Sequence, residues 1–593
     1  MPDALQDQKP LLTVLDKIDA ETKSIRQATK FDTNAEAWIR LRNGDPTRSR
    51  ADGEPVFWAN MLGNFIERKV AALTQSQPDI RVSGRSMDYT TSGHVITETI
   101  KAVLDTLQFD AKIETGADLS ATFGFCGFNT SWDPNADFGR GDIVIATLDP
   151  RRFHVDHHVR DSTEIQKAQY IRIDTPMPLD DIKRIWPDYA EHIKSDSHLS
   201  NYQEMSETVG WGGRRPLRPH QSTPGPYEWA TVKEYWLRSN QLNDKTGELI
   251  FPNGRVLHRV GQVVLDDGPN PYWDGMWPID VWDWRVNGES IMGRSDVEEA
   301  RKLQETLNRI GNAIAKNIIL NAAITVIGDY NALQPEDWKR LDNRAARILK
   351  KMPGRELQFI PPPPMPDQYL AFMQTCGSYM ETLLGVPPTM QGKRQPGVIA
   401  SSAIEGLMTQ AETLIRQVAR RLEYVVERIG VKLVSRVIQF YTSDRVMMIR
   451  GKDNDWEEYK YKRAELLGEY LKNVGDEQEA EKKMQEFFTN FRFKVTPLSA
   501  LPSNRIQRGL MALQLYQAGL IDDEECLRVM EWPDWKHVLK RTQEKNTQSK
   551  QQAMQEGLPL AMMGVKPSDL APGPGGGGGK VRAGRSGTQL KMG

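Results

Sequence analysis

The sequence predicts a helix-rich α+β fold for an elongated chain, and three observations support this prediction. Helical and strand-like patterns alternate up to about residue 293, where they form one mixed domain. Two helical segments then flank a compact insert between residues 294 and 388. A very long helical pattern follows from Ser402 to Tyr441, ahead of a charged stretch and a small helical unit. This order predicts several domain-sized regions rather than one globular core.

Composition excludes several classes of protein. The chain has 593 residues, enough for about three or four domain-sized units or fewer elongated ones. Lys+Arg total 77 and Asp+Glu total 79, and this balance argues against a histone-like or repressor-like DNA binder while leaving room for a local basic lining. Cys126, Cys376 and Cys526 lie far apart, which excludes a disulfide framework and a CxxC zinc ribbon and favours a reducing compartment.

No segment is apolar enough to be predicted as membrane-spanning. The most apolar stretch runs from Ile310 to Ile327 and carries Asn312, Lys316 and Asn317, which are costly at a bilayer centre. The first ten residues lack the apolar core of a signal peptide. We therefore expect a protein that is made in a cytoplasm and stays in solution.

The first domain is predicted from its alternating patterns. Helices are expected at Val56–Gln75, Val95–Leu107 and Ile113–Phe123. Residues 191–226 are rich in Ser, His, Gly, Arg and Pro without periodicity, and we interpret them as an exposed insertion. The predicted strands are Asp79–Val82, Phe125–Trp132, Asp142–Leu148, Gln169–Ile173, Trp229–Leu237 and Arg255–Leu265.

The middle of the chain is predicted as two helices around an insert. The first helix spans Asp296–Ala322, and the second runs from Gln368 to Leu384, where a Gly-Val-Pro-Pro sequence stops it. Between them lie the strand-like segment AITVIG, a short basic helix and the four prolines 361–364, which predict a stiff extended strut. The apolar stripe of the first helix is Leu303, Leu307, Ile310, Ile314 and Ile318, with Asn308, Asn312 and Asn317 close beside it.

The long helix predicted from Ser402 to Tyr441 has an apolar stripe without strict heptads, which favours a buried spoke of a large assembly over a coiled coil. Gly430 is its predicted weak point, at about 1 kcal/mol relative to alanine. Residues 442–497 are interpreted as strands around a charged helix, and Ser503–Val538 as a small helical unit. From residue 542 the glycine-rich, basic composition predicts a disordered tail.

Motifs for catalysis and metal binding are weak. The segment GPGGGGGKV nearly matches a phosphate-binding loop, but it has Pro574 where the loop needs glycine and Val581 where it needs a hydroxyl residue. We therefore interpret it as part of the flexible tail. On a strand, His154, Asp156 and His158 would share one face and form a metal trio. The alternative, which we favour, is a surface turn. No metal site, no cofactor and no catalytic residue are therefore predicted.

Other chemistry-bearing residues have structural interpretations. Cys126 is expected to be a small buried hydrophobic residue rather than a nucleophile. The alternation in IDVWDWRV favours a strand that packs Trp282 and Trp284 on one face, over a stacking platform for single-stranded nucleic acid. The adjacent acid pairs are expected to cap helices and form turns rather than act as catalytic dyads: Asp180-Asp181, Asp266-Asp267 and Asp522-Asp523.

Several segments together resemble the portal proteins of tailed bacteriophages, in particular the large portals of short-tailed phages. Each motif alone is weak, but their order over roughly residues 30–540 is specific. The chain departs from the pattern in the 191–226 insertion and in its short tail, which lacks a long helical barrel extension. The matching segments are NFIERKVAALTQSQPDIRV (64–82), ATFGFCGFNTSWDP (121–134), GDIVIATLDPRRFHVD (141–156), AQYIRIDTPMPLDDIKRIWPD (168–188), SDVEEARKLQETLNRIGNAI (295–314), ETLLGVPPTMQG (381–392) and VTPLSALPSNRIQRGLMALQLYQAGLIDDEECLRVMEWPD (495–534).

The resemblance implies an elongated subunit with wing, stem, clip and crown regions that forms a ring, typically of twelve copies, around a central channel. The regions it implies are wing 1–293, first stem helix 294–322, clip 323–365, second stem helix 366–388, tunnel loop 389–401, spoke helix and wing completion 402–497, crown 498–541 and tail 542–593. The tunnel-loop residues implied to approach DNA are Gln391, Lys393, Arg394 and Gln395. The clip residues implied to face partners are Trp338, Lys339, Arg340, Arg344, Arg347, Lys350 and Lys351.

The implied function is a passage for double-stranded DNA at one capsid vertex, used in packaging and ejection, with no enzymatic activity in this chain. The implied partners are other copies of the chain, the terminase, the head-to-tail adaptor and tail proteins, and the major capsid and scaffolding proteins, with no membrane. The implied location is the virion, after assembly in the bacterial host cytoplasm. Two alternatives are a non-channel virion assembly or adaptor protein and a metal-dependent nucleic-acid enzyme, which would need the His154, Asp156 and His158 trio.

Overall fold

The structure of the chain is a computed structural model. It describes residues 9–44, 57–74, 80–85, 89–196, 228–238, 249–322, 325–329, 352–360, 368–386, 413–450, 456–467, 477–495, 502–530, 538–539 and 541–542. The chain divides into two units, the first comprising Met1–Gly451 with Asp455–Gln507 and the second Lys452–Asn454 with Arg508–Gly593. No helix in these described ranges is both long enough and apolar enough to cross a membrane.

The fold mixes helices and strands, as the sequence predicts. The main helices of the described residues are α1 Lys9–Thr29, α2 Phe31–Asn43, α3 Met61–Thr74, α4 Thr90–Thr106, α5 Phe109–Phe123, α6 Leu179–Ile185, α7 Asp296–Ala322, α8 Gln368–Leu384, α9 Thr413–Phe440, α10 Arg463–Leu467, α11 Glu477–Thr489, α12 Pro502–Gln517 and α13 Asp523–Val529. Two short 3₁₀ helices, Ser162–Lys167 and Pro187–Tyr189, flank α6 and the strand before it.

The strands form small antiparallel sheets. They are β1 Ile80–Gly84, β2 Phe125–Asp133, β3 Asp142–Leu148, β4 Phe153–Val155, β5 Tyr170–Pro178, β6 Trp229–Leu237, β7 Arg255–Val260, β8 Val263–Pro269, β9 Ile279–Asp283, β10 Thr325–Gly328, β11 Leu357–Ile360, β12 Arg445–Arg450, β13 Trp456–Tyr461 and β14 Phe491–Val495. One sheet has the order β3-β2-β9 and a larger one β4-β5-β6-β7-β8, while β1 pairs with β14, β10 with β11 and β12 with β13. The single strand predicted over Arg255–Leu265 is instead the hairpin β7–β8.

The main core of the first unit joins helices α2, α3, α5 and α9 to the sheet β3-β2-β9. Register brings Phe128 of β2 opposite Thr147 of β3 on one side and opposite Asp280 of β9 on the other. The inward-facing residues of these strands are almost fully buried, because helices cover this face of the sheet. A face exposed to water would carry polar residues instead. Trp277, Trp282 and Trp284 are the largest of the fully buried side chains.

Two carboxylates fix helix α1 to the larger sheet: Asp16 pairs with Arg259 of β7 at 2.6 Å, and Asp19 pairs with residues of β5 and β6. Asp19 accepts hydrogen bonds from Arg172 Nη1 at 2.8 Å, from Lys233 Nζ at 2.6 Å and from the Tyr235 hydroxyl at 2.6 Å. Burial opposes ionisation of Asp19, but the bonds from Lys233 and Tyr235 outweigh it and hold the pKa of Asp19 below its ordinary value. A charged network therefore joins the N-terminal helix to β5 and β6.

Helix α9 is buried along most of its described length. Its stripe of Ile415, Val418, Leu422, Val425 and Ile429 is fully covered, as the sequence predicts. The reason for the glycine in its middle is close packing rather than flexibility. A Cβ at Gly430 would lie 1.9 Å from Cζ of Phe493 in β14, so the ring occupies the space that any side chain needs. An alanine would gain about 1 kcal/mol of helix propensity but force the ring out of a packed core, which typically costs more.

The second unit is described mainly by helices. Most of α12 and all of α13 belong to it. The Asp522 carboxylate accepts a hydrogen bond from the Glu525 N–H at 3.0 Å and caps the start of α13, which confirms the interpretation of that acid pair. Asp180 and Asp181 lie in the first turn of α6, but its N-cap residue is Pro178 and no side chain caps it. Asp266 and Asp267 lie in β8 rather than in a turn, where Asp267 pairs with Arg255.

Candidate assembly surface

Helices α7 and α8 pack against each other as an antiparallel pair. Their bounds, Asp296–Ala322 and Gln368–Leu384, are those predicted from the sequence. Arg285 lies at one end of the pair, where it pairs with Glu299 of α7 and donates to the Leu383 carbonyl of α8 at 3.4 Å. The start of α7 therefore lies beside the end of α8, and we call this end the base of the pair.

A buried charge cluster fixes the base of the pair to the first domain. Asp296 is fully buried and pairs with Lys69 Nζ and with Arg285 Nη2, each at 2.7 Å. Burial lowers the pKa of Lys69, and the attraction of Asp296 opposes that effect. The Ser295 hydroxyl accepts from the Val297 N–H at 3.0 Å and donates to the Thr122 carbonyl at 2.6 Å, so it caps α7 and ties it to α5.

The polar residues beside the stripe of α7 bind a backbone segment. Gln304 Oε1 accepts from the Leu62 N–H at 3.2 Å, and Gln304 Nε2 donates to the Ala59 carbonyl at 2.6 Å. One helical turn along, Asn308 Oδ1 accepts from Gln304 Nε2 at 3.0 Å, and Asn312 Oδ1 accepts from the Phe57 N–H at 2.7 Å. These amides therefore hold residues 57–62 on α7, which explains why they lie beside the apolar stripe.

Burial falls along the pair from its base to its far end. Near the base, Leu307 of α7 and Cys376, Met380 and Leu384 of α8 are at most 2% exposed. Toward the far end, apolar side chains of both helices face outward, although a soluble monomer normally covers such residues. The exposed fractions are Ile318 57%, Ile319 51%, Tyr369 43%, Leu370 49% and Phe372 50%. We call these five residues the far-end apolar set; of them, only Ile318 belongs to the apolar stripe that the sequence predicts.

Helix α9 is held to β9 and the preceding loop by a row of ion pairs. Arg421 pairs with Asp283 at 3.2 Å, and Arg428 and Lys432 pair with the two oxygens of Asp280 at 3.2 and 2.7 Å. One turn further, Arg436 pairs with Asp274. The cations lie seven, four and four residues apart, so they share one face of the helix. The signal in the sequence is this spacing of cations on one face of the helix.

Asp280 and Lys432 form the most deeply buried pair of that row. Asp280 is fully buried and Lys432 is 2% exposed. Lys432 Nζ also donates to the Ile279 carbonyl at 2.9 Å, while Arg428 donates to the Val281 carbonyl at 2.9 Å. Burial lowers the pKa of Lys432 to about 8, and the attraction of Asp280 opposes that effect.

The site residues implied by the sequence resemblance lie outside the described residues. This holds for all tunnel-loop residues, Gln391, Lys393, Arg394 and Gln395. It also holds for the clip residues Trp338, Lys339, Arg340, Arg344, Arg347, Lys350 and Lys351. What the structure describes around them is the paired strands β10 and β11, which follow α7 and precede α8 in the chain.

The metal trio considered for His154, Asp156 and His158 does not form. Strand β4 ends at Val155, so the three residues do not alternate along one strand. His154 is buried and its Nε2 lies 3.1 Å from Asp174 Oδ2; burial lowers its pKa to about 4. Asp156 accepts from the backbone N–H groups of His158 and Gln169, both at 3.0 Å. The residues after β4 form a turn, as we expected from the sequence in preference to a metal site. His154, however, points into the protein rather than to water.

The tryptophans and the first cysteine are core residues. Trp282 and Trp284 are both fully buried, with ring centroids 5.8 Å apart, so a stacking platform for nucleic acid is wrong at this position. Cys126 is fully buried, and burial raises its pKa to about 12. A thiol of this kind is not a nucleophile at neutral pH.

Comparison with known proteins finds a family model and solved structures that match most of the chain. A model of the family described as "Phage P22-like portal protein" matches residues 41–563. Among solved structures, a chain from the virion of a native gene transfer agent particle superposes with a TM-score of 0.38 at 10% sequence identity, over 84% of this chain and 93% of that chain. A search of curated proteins finds no match.

Proposed function

The chain belongs to the phage P22-like portal protein family, and from this premise we propose that it forms a ring around a channel for double-stranded DNA. The ring would occupy one vertex of the capsid, admit DNA during packaging and release it during ejection. By its family the protein is a virion component and a structural rather than enzymatic one. We propose that it assembles in the cytoplasm of the bacterial host and hydrolyses no ATP. The terminase would carry out the ATP hydrolysis that drives packaging.

The far-end apolar set is the observation that supports ring assembly. A pair of helices that is held firmly at its base and exposes apolar residues at its far end needs neighbours to cover them. In a ring, α7 and α8 of each copy would pack against the same helices of the copies on either side. Fully burying one large apolar side chain contributes about 1.5–3 kcal/mol, so each of these roughly half-exposed residues would contribute about half of that. Five per copy would make this pair a principal contact between subunits.

The proposed regions follow from this arrangement. Helices α7 and α8 would be the stem, residues 1–293 the wing, and α9 the spoke that joins the channel to the wing. Residues 323–365 would be the clip, with its basic residues facing first the terminase and then the head-to-tail adaptor. Residues 389–401 would be the tunnel loop, and 498–541 the crown ahead of the tail 542–593. The major capsid and scaffolding proteins would contact the outer part of the ring.

The near-neutral charge of the chain suits a passage for DNA. A channel that neutralises many phosphates holds DNA tightly, because every released counterion adds to binding. The chain carries 77 basic and 79 acidic residues, so only a local lining can be basic. Gln391, Lys393, Arg394 and Gln395 would provide such a lining, with few cations per copy.

Replacing Lys393 and Arg394 together with alanine is expected to leave the ring intact and to change the amount of DNA packaged or retained. The reason is that the pair would contact passing phosphates without contributing to the subunit contact. DNA content of the particles, measured by quantitative PCR after nuclease treatment, tests this. Loss of the ring in this variant would show that the tunnel-loop assignment is wrong.

The purified chain is expected to form a ring of about twelve copies. Light scattering on a size-exclusion column measures the mass, and negative-stain images of the peak show whether a central hole is present. A ring with a hole supports the channel. A compact dimer at every concentration, with or without scaffolding protein, contradicts it and favours the adaptor alternative instead.

A further inference from the structure

A second cluster of metal-binding residue types shares His158 with the trio that does not form. Glu21 of α1 and His157 and His158 of the β4–β5 turn each offer one ligand atom, and these atoms all lie within 4.8 Å of one another. Two separate elements therefore bring two imidazoles and one carboxylate together. The three side chains are partly or largely exposed, so water can reach the space between them.

The turn that carries the two histidines is held rigid by Asp156. This residue is 2% exposed, and its carboxylate accepts the His158 and Gln169 backbone N–H groups, each at 3.0 Å. Asp156 Oδ1 also lies 2.8 Å from His158 Nδ1. A carboxylate bonded to one ring nitrogen sets the ring orientation and leaves the other nitrogen for a metal, which is the usual surrounding of a metal-bound histidine.

We propose that Glu21, His157 and His158 form a binding site for a divalent transition-metal ion of the zinc class, which joins α1 to the β4–β5 turn. Two imidazoles, one carboxylate and water make a donor set that Zn²⁺ accepts. His157 Nδ1 and Glu21 Oε1 lie 2.7 Å apart. Tetrahedral ligands at about 2.0–2.1 Å from zinc lie some 3.3 Å from each other, so this pair needs to separate by only about half an ångström.

The site would give α1 a removable attachment besides its permanent ones. Asp19, two residues before Glu21, already joins α1 to β5 and β6 through Arg172 and Lys233, and Arg26 donates to the Pro150 and Arg151 carbonyls at 2.6 and 2.7 Å. The metal would add a further link between these two attachments, on the side of the β4–β5 turn. Bound metal is therefore expected to slow local opening of α1 without changing the fold.

Titration calorimetry of the tag-free full-length chain with ZnCl₂ is the first test. We expect one ion per chain, and roughly a tenfold or larger loss of affinity in each of the variants Glu21→Gln, His157→Ala and His158→Ala. His192→Ala is the matched control, because this histidine is also exposed and lies outside the cluster. Mg²⁺ is expected not to bind, since it prefers oxygen ligands.

Hydrogen exchange gives the second readout. Amides of α1 are expected to exchange more slowly with Zn²⁺ than with a chelator in the wild-type chain and equally in His158→Ala. Unfolding curves of the variants without metal verify that they fold, which their exposed positions favour. Zinc binding that survives all three substitutions, that His192→Ala also abolishes, or that appears only at millimolar concentration would overturn the proposal. None of these results depends on ring formation.

Discussion

Replacing Asp280 with alanine is expected to destabilise the first unit by about 3–5 kcal/mol, because the substitution leaves a buried cation without its partner. Lys432 is 2% exposed and would keep only the Ile279 carbonyl as an acceptor. Urea unfolding followed by tryptophan fluorescence measures the loss. Asp266→Ala is the control: its side chain is 61% exposed, so it should change stability by less than about 0.5 kcal/mol.

The pH dependence and a double variant identify the cause of this loss. Burial lowers the pKa of Lys432 to about 8, so above that pH the unfolded chain holds more protons than the folded one and stability rises with pH. Without Asp280 this pKa falls further, and the deficit against wild type should shrink between pH 7 and pH 8. Adding Lys432→Met should recover much of the loss, since an apolar pair needs no compensation. An equal loss in the double variant would contradict this account.

Replacing Ile318 and Phe372 together with aspartate is expected to prevent ring formation while the subunit stays folded. Both side chains are at least half exposed, so the change costs the monomer little. In a ring each new carboxylate would be buried against an apolar neighbour, at a cost of several kcal/mol per subunit contact. Light scattering should report a monomer at concentrations where the wild-type chain forms rings, a shift of at least about a hundredfold.

A matched substitution on the wing separates a local effect from a general one. Ile185 at the end of α6 is 50% exposed, like Phe372, so Ile185→Asp adds the same charge at a site away from α7 and α8. It is expected to leave the ring intact. If both variants form rings as the wild type does, the far-end apolar set is not a subunit contact, and the proposed packing of α7 and α8 is wrong.

The helical pattern allowed prediction of the middle helices, since α7 and α8 have the bounds expected from their apolar spacing and terminal signals. It did not predict the structure at residues 57–60, where the expected helix Val56–Gln75 begins only at Met61. The reason lies in distant residues: Asn312 and Gln304 of α7 bind the backbone of this segment and compete with helix formation. Such a tertiary contact has no local signal in the sequence.

The partners of charged residues also required the structure. Arg428, Lys432 and Arg436 share one face of α9, but nothing in the sequence pairs them with Asp280 and Asp274 in a distant strand and loop. The histidine motif failed for a related reason. A strand period predicts one face only while the strand lasts, and β4 ends after Val155. The neighbouring cluster then depends on Glu21, a residue from another helix.

The pairing of β1 with β14 has a consequence for synthesis of the chain. Gly84 lies opposite Phe491 and Ile80 opposite Val495, so roughly 400 residues separate the two strands in sequence. At about 5–20 residues per second, a ribosome needs some 20–80 seconds to make that interval. During this time β1 is an open edge, the kind of surface on which chains aggregate. Translation speed therefore sets how long each nascent subunit is exposed, and a chain cut short before β14 retains the open edge permanently.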